Sequence, residues 1–202
     1  MAGAPVTPAR AAQLRHGLAL ERLTIGYNAL EGVIAIVAGL AAGSVALTGF
    51  GVDSVIEVSS GALLFWRLRA ELGSASLGAA VEARATRVAG ALLLALAVYI
   101  VVESGRRLLM QDRPEASVVG IVLMAASLVV MPLLARAKLA TARALDSRAL
   151  RADAHETIVC AWLSFTTLAG LALNAAFGWW WADPAAALVM LPLIVREGVE
   201  AL

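Results

Sequence analysis

The sequence predicts an all-α integral membrane protein with six transmembrane helices, both termini cytoplasmic, and no C-terminal soluble domain. Three observations carry that prediction. First, 61% of the 202 residues are hydrophobic and 15% are charged, against about 45–50% and about 25% in soluble domains; mean hydropathy is +0.84. Second, six stretches are long enough to cross a hydrocarbon core, which takes about 20 apolar helical residues. Third, the basic residues collect on alternate connections. The net charge of +1 gives no general attraction to nucleic acid. The single cysteine, Cys160, excludes an intramolecular disulfide.

Residues 1–22 are expected to form a cytoplasmic N-terminal tail carrying Arg10, Arg15 and Arg22. The apolar run from Thr24 to Gly43 exceeds the about 7–15 residues of a signal-peptide core, so it reads as a retained first span over 23–43. A tight hairpin at Gly43-Ser44 leads into span 2, over 45–67. The polar stretch "RLRAELGSASLGAAVEARATR" separates it from span 3, over 86–106. In "RRLLMQDRPEAS", Pro114 ends any helix before span 4, over 117–135. The basic connection "RAKLATARALDSRALR", itself compatible with helix, precedes span 5 over 150–173. Gly178 and Pro184 punctuate "NAAFGWWWADP" before span 6, over 183–201, and Trp179 to Trp181 suit an interfacial belt. Thirteen of the sixteen Lys and Arg residues fall on the side of the termini. The exceptions are Arg106, Arg107 and Arg113. The positive-inside rule then makes both termini cytoplasmic, with anionic-lipid contacts for the basic connections.

Ionisable groups inside a span carry an insertion cost of about 2.5–3.5 kcal/mol and point to function. The stretch "GFGVDSVIEVSS" places Asp53 and Glu57 four residues apart, on one face of span 2. Small residues surround them, which lets a neighbouring helix approach closely. In "RADAHETIVCAW" of span 5, Glu156 and Cys160 repeat the spacing, with Asp153 one turn earlier. Counting from the helix ends puts both pairs near mid-membrane. An antiparallel pairing then sets Asp53 against Cys160 and Glu57 against Glu156. Carboxylate oxygen and thiolate sulfur are zinc ligands, and four of them suit a tetrahedral divalent ion. The expected metal ligands are therefore Asp53, Glu57, Glu156 and Cys160. No catalytic residue and no resident cofactor is expected.

Each residue also has a plainer reading. Cys160 can be a small buried hydrophobe, and Glu156 a wet acid favoured by a helix N-terminus. Asp153 can do the same in the first turn of span 5, or belong to an access path. His155 and Glu31 are candidates for that path or for a proton relay. Glu31 shares a face with Asn28, and the pair can equally be polar glue between helices. Glu103 is placed to pair with Arg106 and Arg107 on the surface. Asp183, before Pro184, reads as the N-cap of the sixth helix.

With these residues in view, the chain resembles the cation diffusion facilitators, the cation efflux family. That family's span 2 carries an acid pair in a small-polar context, and its span 5 reads "AD…HxxxD". Here Asp53 and Glu57 match the first pattern. Asp153 matches the leading aspartate of the second, Glu156 its histidine and Cys160 its last aspartate. "WWWADPAAAL" matches the start of span 6, and the resemblance covers 23–202 as a six-helix transmembrane cation-efflux domain. Neither ligand pair holds a histidine, which is nearer the transmembrane protein 163-like branch of zinc efflux. No counterpart of the family's cytoplasmic C-terminal domain is expected here.

The resemblance implies a secondary transporter that exports a divalent metal, typically zinc, in exchange for protons by alternating access. It also implies a homodimer in the lipid bilayer, here expected in a bacterial inner (plasma) membrane. A thiolate among carboxylates favours zinc or cadmium over manganese. Two other classes compete. One is a non-transporting partner subunit of a larger assembly. The other is a membrane metalloenzyme, which His155-Glu156 does not support, because Val159 stands where a second histidine would be needed.

Overall fold

The computed structural model describes residues 7–72 and 79–202, the side chains of 79–86 excepted. These residues form six helices: α1 (Pro8–Ala42), α2 (Val45–Leu72), α3 (Ala79–Met110), α4 (Val118–Leu145), α5 (Arg148–Phe177) and α6 (Ala182–Glu200). Successive helices run antiparallel, so the first and last ends of the described chain share one end of the bundle. The middle of the polar connection between spans 2 and 3 lies outside the described residues.

Five of the helices are long and apolar enough to cross a membrane, and α6 is not among them. The six-helix expectation stands: α6 is a helix of the same all-helical bundle and falls short on that measure alone. The reason is charge: the 19 residues of α6 include Asp183, Arg196, Glu197 and Glu200. The helices also exceed the predicted spans. The expected tail at 1–22 is helical from Pro8, with Thr7 accepting a hydrogen bond from the Arg10 amide at 3.4 Å. Leu14 and Leu18 pack with Leu64, Leu68, Leu145 and Leu150 in a second small core at the termini end, and Arg10 pairs there with Glu71. The basic stretch between spans 4 and 5 is helical except around Asp146 and Ser147.

Helices α1 and α2 form a tight hairpin. Gly43 sits in the left-handed region at φ 64°, where a side chain would be strained. A Cβ on Gly39 would meet the Thr48 backbone nitrogen at 2.7 Å, and one on Gly51 the Ile36 nitrogen at 2.7 Å. Glycine at these positions lets the two backbones touch, which fixes the depth of Asp53 and Glu57 relative to α1.

Asp183 is not the N-cap of α6: that position is Trp181, which makes no capping bond through its side chain. Its carboxylate instead reaches the start of α2, accepting from the Ser44 hydroxyl at 2.5 Å and the Val45 amide at 2.8 Å. A helix N-terminus has free amides that attract a carboxylate, and in this bundle the nearest such carboxylate comes from another helix. Two further bonds close the same end. Arg107 donates to the Gly43 carbonyl at 2.5 Å and Asn174 to the Pro114 carbonyl at 2.9 Å. Glu103 pairs with Arg106 at 2.7 Å and Arg107 at 2.9 Å, as its spacing predicts.

The outer surface is apolar. Leu30, Val33, Val37 and Leu40 of α1 and Val98 and Val102 of α3 are exposed, a pattern suited to acyl chains rather than water.

Candidate functional site

The acids of α2 face inward because the rest of their helix face is small and polar. Asp53 is 2% exposed and Glu57 is half-buried, one turn along the same face. Both line a cavity of 90 Å³ with Ile56, Ser60, Leu93, Glu156 and Glu197. One water needs about 10–15 Å³ on this measure, so the cavity takes a partly hydrated ion. Four carboxylates from three helices thus share one space, and among the described residues no lysine or arginine lines it.

Individual hydrogen bonds aim these groups. Asn28 of α1 donates to Glu57 Oε2 at 2.8 Å, and the Ser60 hydroxyl to Glu156 Oε2 at 3.0 Å. Each bond holds one oxygen of a carboxylate and leaves the other for a cation. The Asp53 carboxylate has no side-chain hydrogen bond among the described residues and lies within electrostatic reach of Glu156.

The register between α2 and α5 differs from the expected one. Glu156 stands level with Ser60, and fully buried Cys160 is beside Glu57 rather than Asp53. Asp53 and Glu156 face the same cavity, but Cys160 is not on its wall. Among the described residues, no three His, Cys, Asp or Glu side chains converge into a metal-holding group. Three of the four expected ligands, Asp53, Glu57 and Glu156, line the space without closing on its centre, and the fourth, Cys160, stands behind Glu57.

A wider groove of 540 Å³ runs between α5 and α6, lined by His155, Glu156, Leu193, Arg196 and Glu197 among others. It shares Glu156 and Glu197 with the inner cavity. The cavity wall includes Leu63 and Ala201, near the termini end. His155 and Glu197 lie in the groove near the termini ends of α5 and α6. The opposite end is tied by Asp183, Arg107 and Asn174 as described above.

Asp153 does not line this route. It faces Lys138 of α4, whose ammonium lies 2.5 Å from Asp153 Oδ2, 3.3 Å from Glu21 Oε1 and 3.4 Å from Thr157 Oγ1. Lys138 and Glu21 are both 0% exposed. Sequence reasoning treated Lys138 as a loop cation and passed over Glu21. Glu197 was not among the expected site residues either. Its signal was available: Glu197 falls four residues from Leu193, on the stripe that also carries Met190 and Ile194.

The architecture and the lining together define an integral membrane protein that surrounds an acidic, cation-sized space. The family model described as the cation efflux transmembrane domain matches residues 23–202. The chain belongs to that family, whose members are transporters of metal cations, and metal cation efflux is the activity that follows. No protein among the curated ones matches it.

Proposed function

We propose that the protein exports a divalent cation, zinc first among them, from the cytoplasm in exchange for protons. The observation that carries this reading is the cavity: Asp53, Glu57, Glu156 and Glu197 line it, with no basic partner among the described residues. Such a set attracts a doubly charged ion and repels anions. Cys160, next to Glu57, adds a sulfur ligand when α2 and α5 shift by a side chain's length. Ligands must lose their protons to bind metal, so metal and protons compete for the same oxygens. An open termini side and a tied opposite side describe one of the two states that alternating access requires. The positive-inside bias makes the open side cytoplasmic. Homodimerisation through membrane helices, and placement in a bacterial inner membrane, complete the proposal on kinship alone.

The test is zinc flux in vesicles that contain only this chain, with an acidic lumen and a lumenal pH dye. Zinc should enter while the lumen turns alkaline, and both signals should vanish when an ionophore collapses the pH gradient. Zinc entry that ignores the gradient would rule out exchange. Absence of flux from well-folded protein would favour a partner subunit.

A further inference from the structure

Helix α1 contributes more than a scaffold. Glu31 is 1% exposed, and neither of its carboxylate oxygens has a hydrogen-bond partner. Asn28, three residues away on the same face, is also 1% exposed, and its Oδ1 is unpartnered as well. Three acceptor oxygens are therefore buried within one turn of α1, and no donor reaches any of them. An unsatisfied acceptor in an apolar interior is unfavourable, and a carboxylate is more so.

The surroundings offer no other solution. Tyr27, which could donate, is engaged with the Ser127 hydroxyl at 2.8 Å. The nearby hydroxyl of Ser54 donates to the Phe50 carbonyl of its own helix at 3.1 Å. The amide nitrogen of Asn28 is committed to Glu57. What remains is a cluster of acceptors; a proton on Glu31 would supply one donor, whereas a cation satisfies all three oxygens at once. Hard divalent ions take carboxylate and amide oxygens together, and zinc accepts carboxylate oxygen. Cys160 lies within electrostatic reach of Glu57, Glu31 and Asp53.

We propose that Glu31 and the Asn28 amide oxygen form a second cation station, supplied by α1. It would hold the transported ion beside the Asp53–Glu57–Glu156 cavity, at a depth between Asp53 and Glu57, where Gly32 packs on Ser54 and Val55. Asn28 then has two jobs: its nitrogen orients Glu57, and its oxygen faces the station. This deepens the exporter reading and rests on it.

Equilibrium binding of cadmium or zinc to the purified full chain in detergent, paired with vesicle flux, tests the station. Asp53→Ala should abolish flux yet retain weak binding of the metal, and adding Glu31→Gln should remove that residual binding. Glu31→Gln alone should lower flux by about 10–100-fold, the range for losing a group beside a metal site, while metal still binds in the cavity. Glu31→Asp, which keeps the charge, should fall between Glu31→Gln and the parent, and it replaces Glu31→Gln should that variant fail to fold. Unchanged flux in Glu31→Gln would overturn the station. Lowered flux with residual binding unchanged would also overturn it and make Glu31 a proton carrier. Glu31-dependent binding in a parent chain that moves no metal would sink the exporter reading and leave the station standing.

Discussion

Asp53→Ala is expected to abolish metal flux while leaving the folded protein as stable as the parent or more so. Asp53 is 2% exposed, and its carboxylate has no side-chain hydrogen bond among the described residues. It supports no structure that alanine would undo. Its burial beside Glu57 and Glu156 is instead unfavourable without a cation, and removing it relieves repulsion. The loss of flux should exceed the about 10–100-fold that follows loss of a group merely supporting a ligand. Vesicle flux and equilibrium unfolding in mixed detergent measure the two arms. A variant that unfolds readily but transports normally would show that Asp53 is structural.

Lys138→Ala should have the opposite profile and be the largest single loss of stability. Lys138 is fully buried between Asp153 and Glu21, with Thr157 completing its contacts. It joins α4 to α1 and α5. Two buried carboxylates with one cation are tolerable, but two without it are not. Removing one partner of a buried ion pair costs about 3–5 kcal/mol, whereas replacing the whole set with neutral groups is often harmless. Equilibrium unfolding should therefore show a loss of about 3–5 kcal/mol for Lys138→Ala. Most of that loss should be recovered when Glu21→Gln and Asp153→Asn are added. An unfolding midpoint indifferent to Lys138→Ala would show that the ammonium does not join these helices.

These two residues show what was legible in the sequence. Asp53 and Glu57 stand out because they interrupt a lipid-like stretch at helical spacing, and Glu156 lies on an inward stripe of α5. Periodicity within one helix is enough to find them. Lys138 and Glu21 sit in stretches already rich in arginine and glutamate near helix ends, where charge usually means solvent. Only the packing of α1, α4 and α5 makes them neighbours. The offset of α2 against α5 by one turn was likewise out of reach, because counting from helix ends assumes that the ends are level. Helix α5 begins at Arg148 and α2 continues to Leu72, so they are not. Asp183 was misread for a related reason. A carboxylate at a helix start suggests its own helix, and nothing local reveals that the amides of Val45 are nearer.

The cavity carboxylates and Cys160 become ligands of one ion only when they close on it, and X-ray absorption at the zinc edge reads that directly. The full chain loaded with one equivalent of zinc should show oxygen neighbours at about 2.0–2.2 Å and a single sulfur at about 2.3 Å. The sulfur should disappear in Cys160→Ser, and in Asp53→Ala the tight site should be lost, leaving only weakly held zinc with no sulfur neighbour. A first shell of nitrogen, or one identical in parent and Asp53→Ala, would contradict the assignment of the cargo to the acids between α2 and α5.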